Sequence, residues 1–260
     1  MSKATGTRGM ERVRVYHSQT RAYHEAFQVF LSNTDQQIQA QRWLKGLIEK
    51  LPSRKLFVDA GAGNGKFTAW FKESFERTIS VEPNEWMRSE LRHSCSGVEI
   101  IPDTILDVHL DLAADFVLCS HVLCDIDQHD WVPTLKKLAS WLGPEGVLIV
   151  VLQHHTSDCM RMLQHFFGRH FNLSDLAAAF ECFQGDRYEV SLAKVPSHVT
   201  TSDFKTAEII AELMLNLLPI KRPPLLEEFE EYVRSHFGHR SGGFRFSCDQ
   251  DFLQIRFRKD

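Results

Sequence analysis

The chain has 260 residues, 43% of them hydrophobic and 25% charged, and a formal net charge of −4. It is long enough for one large α/β domain with an elaborated substrate cover, and two independent domains are not required. The acidic balance, with no long Lys/Arg run beyond the scattered Arg8, Arg12 and Arg14, gives a nucleic-acid partner little electrostatic support and leaves a small molecule as the expected one. No apolar run reaches the roughly 20 residues that span a bilayer, and residues 1–9 hold no signal-peptide core, so no membrane partner is expected and a cytoplasmic location is. The six cysteines (Cys95, Cys119, Cys124, Cys159, Cys182, Cys248) form no C-x-x-C pair and read as reduced packing thiols; the chain reads as a monomer or weak homodimer.

Residues 1–14 carry no apolar period and read as a flexible leader. Tyr16, Tyr23, Ala26, Phe27, Phe30 and Leu31 then recur at helical spacing, and 38–51 repeats the behaviour up to Pro52, so two helices precede the first strand. Between them Ser32-Asn33-Thr34-Asp35 is a turn with N-cap chemistry for the second helix. Strand and helix signals alternate after that: strands over 55–59, 78–82, 98–101 and 114–120, with helices over 65–75 and 84–92. A helix over 131–142 follows, and the turn Gly143-Pro144-Glu145-Gly146 precedes a strand over 147–152. The alternation predicts a parallel sheet wrapped by helices, and the unbroken run Val147-Leu148-Ile149-Val150-Val151 predicts a buried central strand. Past Leu152 the pattern is mostly helical, over 157–168, 173–183, 202–218 and 225–237, with a strand over 188–195. Phe244-Arg245-Phe246 and 252–257 read as closing strands of the same sheet.

The most informative segment is Phe57-Val58-Asp59-Ala60-Gly61-Ala62-Gly63-Asn64-Gly65. Glycines at alternate positions after a strand permit a tight turn and a close approach to a ligand. A dinucleotide site would want G-x-G-x-x-G, whereas this is G-x-G-x-G preceded by an acid. The next strand ends in Glu82-Pro83-Asn84, and an acid there, about 20 residues past the glycines, is placed to bind two ribose hydroxyls.

These residues resemble the class I S-adenosylmethionine (SAM)-dependent methyltransferases. The resemblance implies a doubly wound, Rossmann-like α/β sheet with an N-terminal helical cover and a helical insertion late in the sheet. SAM would be the cofactor, S-adenosylhomocysteine its product, and no metal would be needed. It assigns Gly61 and Gly63 to the methionine part of the cofactor, with Asp59 shaping the loop. Glu82 falls to the ribose, Asp103 and Thr104 to the adenine, and Ser120 to the neighbourhood of the methionine. It also makes 15–260 one methyltransferase domain: a helical cap (15–52), a cofactor-binding half (53–152), and a substrate cover with closing strands (153–260).

Two further segments are similar to the histamine N-methyltransferases: 23–35, where Asp35 matches an acid that meets the amine substrate, and Leu213-Met214-Leu215-Asn216-Leu217-Leu218-Pro219 followed by Pro223-Pro224. A nearer resemblance is to the methyltransferase domain of ovothiol-forming enzymes or its stand-alone counterpart, which methylates a ring nitrogen of 5-thiohistidine. It rests on 59–66, Leu118-Cys119-Ser120-His121-Val122, Leu152-Gln153, 158–162, 214–219 and the segment around Phe246-Ser247-Cys248 and Gln250-Asp251-Phe252-Leu253. In one place the chain departs from both: Leu123-Cys124-Asp125 stands where they place aromatic residues, so a thiol and the acid Asp125 replace an aromatic wall.

Methyl transfer from a sulfonium is an in-line displacement that depends on positioning. A neutral ring nitrogen already has its lone pair, so the residues to seek are hydrogen-bonding groups that orient the ring. His121, at the end of the fourth strand, reads as such an orienter or a proton acceptor, or else as a histidine bonded to backbone. Asp35 reads as a substrate contact or a helix cap. Arg161, Arg245 and Asp249 could meet the charges of an amino-acid substrate or form surface ion pairs. Cys248 and Asp251 could line the pocket, Cys248 equally the core. Phe27 and Phe30 could stack on an imidazole or simply pack. His154-His155 with Asp158, and His236 with His239, form no closed four-ligand metal set. The expected activity is therefore N-methylation of an imidazole, with 5-thiohistidine the leading substrate. The alternatives are a histamine-like or other small-amine N-methyltransferase and a non-catalytic SAM-binding regulatory module.

Overall fold

A computed structural model describes residues 11–17, 20–109, 111–240 and 242–259. In chain order the helices and strands begin with α1 (Arg21–Asn33), α2 (Gln36–Ile48), β1 (Leu56–Ala60), α3 (Lys66–Phe71), β2 (Arg77–Val81) and α4 (Glu85–Ser94). Then come β3 (Glu99–Ile101), β4 (Ala114–Ser120), α5 (Trp131–Ser140), β5 (Leu142–Gln153), α6 (Asp158–Phe167) and α7 (Leu173–Gln184). The last are β6 (Tyr188–Val195), β7 (His198–Thr201), α8 (Phe204–Leu215), α9 (Leu226–Phe237), β8 (Phe244–Ser247) and β9 (Gln250–Phe257). They fall into two compact units. One spans Ile38–His154, Phe171–Val195 and Gln250–Asp260; the other spans Met1–Gln37, His155–His170 and Pro196–Asp249. The expected cap over 15–52 is thus divided at Gln37, and the stretch 153–260 contributes to both units.

The larger unit holds a seven-stranded sheet of order β3-β2-β1-β4-β5-β9-β6. The first five strands are parallel, and β9 runs antiparallel between β5 and β6. This is the expected Rossmann-like α/β fold. Its apolar strands explain it: β1 is buried at every position, and β5 is buried from Gly146 to Gln153, so both must be covered on two faces. Phe57, Phe116, Ile149 and Val151 on one face pack with Ala40, Leu44 and Ile48 of α2 and Phe71 of α3. Phe57 and Phe116 stack with ring centroids 5.2 Å apart. Strand order reverses between β1 and β4, and ligands of such sheets bind at the carboxyl ends of the strands at that reversal.

The strand β5 differs from expectation by starting at Leu142. Gly143 to Gly146, read from the sequence as a turn, lie within it, because a bulge lets Leu142 pair with Ala114 before Val147 pairs with Phe116. Any Cβ on Gly146 would lie 2.2 Å from the Ala114 carbonyl oxygen.

In the smaller unit, β8 pairs antiparallel with β7 in a separate two-stranded sheet. The expectation that both terminal strands close the main sheet is therefore corrected: only β9 does. The four-residue β7 is too short to show a period. Of the expected leader, residues 1–10 lie outside the described residues. Residues 11–14 are anchored: Val13 is 2% exposed, its N–H donates to Pro224 O at 3.1 Å, and Arg12 bridges to Leu225. No helix among the described residues is long and apolar enough to cross a membrane.

Candidate functional site

The loop after β1 carries the first half of the site. Gly61 and Gly63 hold φ of 78° and 55°. A Cβ on Gly61 would lie 2.3 Å from Val122 Cγ2, so glycine is what lets this loop pack on the segment after β4. A Cβ on Gly63 would meet nothing within 4 Å, so this position faces open space. The loop is pinned from behind: Gly61 and Ala62 N–H donate to Val81 O at 2.8 and 3.0 Å. Gly63 N–H donates to Glu82 Oε2 at 2.8 Å, and Asn84 N–H to Glu82 Oε1 at 2.8 Å. A carboxylate offers about four lone-pair sites. Glu82, 7% exposed, is thus oriented by two backbone donors and keeps acceptor capacity for two hydroxyls.

Beneath the loop, Asp59 is buried and accepts a hydrogen bond from Thr68 Oγ1 at 2.5 Å, while Thr68 Oγ1 lies 3.2 Å from Ser80 Oγ. Burial raises the Asp59 carboxyl to about 7; the Thr68 bond works against the rise and the Glu82 charge adds to it. The Thr68 bond ties the end of β1 to α3 beneath the loop. At the end of β3, Asp103 and Thr104 are exposed, and Thr104 Oγ1 donates to Asp107 Oδ2 at 2.6 Å.

The end of β4 supplies the second half. Ser120 Oγ is buried with no hydrogen-bond partner among the described residues. His121 has φ 57°, the only positive value at a non-glycine among the described residues, a strained conformation of the kind that marks functional sites. Its N–H donates to Val151 O at 2.9 Å, and Cys124 Sγ donates to its carbonyl at 2.9 Å. His121 Nε2 lies 2.6 Å from Gln250 Nε2. Part of the side chain reaches the surface, but the ring is crowded by protein, and this desolvation lowers it to about 4. His121 is therefore neutral at physiological pH. Burial and the Glu82 charge raise the Asp125 carboxyl, against a bond from Cys124, and burial raises the Cys124 thiol. The Glu82 charge is felt at both Asp59 and Asp125.

On β9, Gln250 is 1% exposed and stands opposite Gln153 and Val195. Asp251, also 1% exposed, lies 2.8 Å from His154 Nδ1 through Oδ1, and its Oδ2 is buried without a partner among the described residues.

The remaining candidates lie in the smaller unit. Asp35 Oδ1 accepts the His198 N–H at 2.7 Å, and Asp35 N–H donates back to His198 O at 3.2 Å. This pairing continues the Thr34–Val199 bridge and gives Asp35 a structural role. Cys248 is buried: its carbonyl accepts from Gln36 Nε2 and Ser197 Oγ at 2.9 and 2.7 Å, and burial pushes its thiol up to about 11. Asp249 accepts from Ser197 N–H at 3.0 Å. Arg161 pairs with Asp158 and donates to Thr156 O at 2.7 Å, the local ion pair that was one of its two readings. Arg245 is exposed on β8. Phe27 stacks on Tyr23 at 6.0 Å and tilts against Phe30, which is buried. Asp158 also binds the Ser247 N–H, and His236 stacks on Tyr232 at 4.0 Å.

The profile of the methyltransferase domain family matches residues 32–190, more than half of the chain. The chain belongs to this family. It is a class I SAM-dependent methyltransferase. No curated protein matches the methyltransferase closely enough to count as a relative. Among solved structures, it resembles a candidate methyltransferase of Bacillus halodurans C-125 with TM-score 0.59 and 12% identity, over 83% of this chain and 97% of that one. The YcgJ protein of Bacillus subtilis gives TM-score 0.56 and 14% identity, over 84% and 98%. A SAM-dependent methyltransferase of Thermotoga maritima, described as a possible histamine N-methyltransferase, gives TM-score 0.50 and 21% identity, over 91% and 95%. These likenesses are of fold.

The residues fit the cofactor. Open space in front of Gly63, spare acceptor capacity on Glu82, whose carboxylate charge is felt at Asp125, and an unpartnered Ser120 hydroxyl suit a ligand with a ribose and a sulfonium. Sequence reasoning gave no role to Thr68, Val122 or Gln250, although Val122 and Gln250 lie in segments that carry the resemblance. Gln250 is one of four polar residues in β9, with Asp251, Gln254 and Arg256, so no local pattern singles it out.

Proposed function

We propose that the methyltransferase acts on an imidazole ring nitrogen of a small histidine-derived molecule, with 5-thiohistidine the first substrate to test. The observation that carries this reading is His121: neutral, conformationally strained, bonded through Nε2, and in a segment packed by Val122 against Gly61 of the glycine loop. SAM, when bound, supplies an electrophilic methyl group on a sulfonium.

The chain's own residues do the rest. Glu82, oriented by the Gly63 N–H, holds the ribose, while the glycine loop with Gly61 and Gly63 and the Ser120 hydroxyl hold the methionine side. A neutral imidazole attacks through one nitrogen and keeps a proton on the other, and Asp125 is the acceptor suited to that N–H. His121 fixes the ring by a further hydrogen bond. Nothing in this reaction calls for a strong base or a metal, since alignment of nitrogen and methyl can supply several kcal/mol of the barrier. We place the enzyme in the cytoplasm as a monomer or weak dimer, with no nucleic-acid or membrane partner.

A second reading, histamine or another small arylalkylamine as substrate, is favoured by the description of the Thermotoga maritima neighbour. Isotope-labelled SAM offered with 5-thiohistidine, histidine, histamine and a primary amine separates the two. Labelled product from the thioimidazole supports the first reading, and label on histamine alone supports the second. Cofactor binding without turnover on the whole panel would make the chain a SAM-binding module.

A further inference from the structure

Gln250 opens β9, is 1% exposed, and sits between Gln153 of β5 and Val195 of β6, so its side chain has little freedom. Its amide nitrogen, which can only donate, faces His121 Nε2 at 2.6 Å. A hydrogen bond between these two atoms requires a lone pair on Nε2, and a neutral imidazole then carries its proton on Nδ1. Turned over, the Gln250 amide would bury two donors where its oxygen now finds no partner, and orphaned N–H groups are the rarer fault. His121 Nδ1 makes no hydrogen bond to any described residue and is not among the sealed polar atoms. The strained φ of 57° and the His121 N–H to Val151 O bond fix the backbone from which this ring projects.

We propose that Gln250 is a positioning residue that holds His121 in the Nδ1–H tautomer, so that His121 meets the substrate as a hydrogen-bond donor and not as a proton acceptor. The role in turnover rests on the imidazole reading above. For a thioimidazole substrate the acceptor is the sulfur, intrinsically the better nucleophile. A donor held on that sulfur engages one of its lone pairs, lowers its nucleophilicity and holds it away from the methyl group, which leaves the ring nitrogen to attack. Gln250 thereby contributes to the choice of methylated atom without touching the substrate.

The test is a long-range proton–nitrogen NMR correlation of the histidines in the whole 15N-labelled chain, with Gln250→Glu and Gln250→Leu as variants. A glutamate accepts but does not donate when ionised, so it should move the proton to Nε2 or charge the ring. The expected wild-type spectrum has His121 as the Nδ1–H tautomer at pH 7, lost in Gln250→Glu. With the thioimidazole substrate, both variants should lose roughly 10-fold in kcat, the worth of one positioned hydrogen bond, with an increased share of S-methyl product and an unchanged KM for SAM. An Nε2–H tautomer in the wild type, or one unmoved by Gln250→Glu, overturns the proposal. If the tautomer behaves as expected but no imidazole is methylated, the positioning role stands and the substrate reading fails.

Discussion

The Gly63 N–H donates to Glu82 Oε2 at 2.8 Å, so the glycine loop after β1 and the acid after β2 are one hydrogen-bonded unit. Replacing Glu82 removes a cofactor contact and a loop anchor together. Glu82→Ala should weaken S-adenosylhomocysteine binding by about 1.5 kcal/mol or more, roughly tenfold, as expected for a charge-assisted contact to two hydroxyls. Isothermal calorimetry checks this, and unchanged affinity would remove Glu82 from the ribose site.

Two glycines of the same loop should fail in different ways. Gly61→Ala drives a methyl to within 2.3 Å of Val122, so it should lower the melting temperature and cofactor affinity together. Gly63→Ala meets no protein atom and carries only the strain of a left-handed residue, about 1–2 kcal/mol. It should fold and lose affinity for S-adenosylhomocysteine. Thermal melts with calorimetry on both variants separate the effects; full affinity in Gly63→Ala would place the cofactor elsewhere.

Two groups shape the pH dependence of stability in opposite directions. Asp59 is raised to about 7, so the folded state holds a proton that the unfolded chain has released. Its contribution is fully present below about pH 4 and is lost as pH rises toward 7. His121 is lowered to about 4, so its unfolded form binds a proton that the folded form refuses, and stability falls as pH drops from about 6.5 toward 4. Because the two groups oppose each other over this window, urea unfolding across pH 4–8 should show Asp59→Asn with a stability that rises more steeply with pH than the wild type between 4 and 7. A variant with the wild-type slope there would contradict the buried, protonated Asp59.

Most of the fold was legible: the bounds of the buried, apolar β4 and of the half-exposed edge strand β6 read from the sequence coincide with the structure, and Glu82 announced itself by strand order. Within the candidate site, the tight turn of the loop was legible because its positive φ at Gly61 and Gly63 is what glycine serves best. Asp35 was ambiguous because a carboxylate in a turn serves a backbone N–H as readily as a substrate, and it is the His198 N–H that it binds. β7 and the partner of His121 were not legible. Four residues show no period, and Gln250 meets His121 across a separation of 129 residues that no local pattern encodes.

His121→Ala should lower turnover by roughly 10²-fold or more, the scale of a lost preorganised hydrogen-bond donor. Product NMR should show the S-methylated fraction rising. A wild-type rate with unchanged N-methylation would make His121 structural.

The central claim, methyl transfer to an imidazole nitrogen, is tested most directly by incubating the enzyme with SAM carrying a 13C-methyl group and 5-thiohistidine, and locating the label by NMR. The account predicts a labelled N-methyl signal correlated with the single ring proton on C2, with S-adenosylhomocysteine formed in equal amount. Label on sulfur or on the α-amino group, or no transfer from a cofactor that calorimetry shows to be bound, would contradict it.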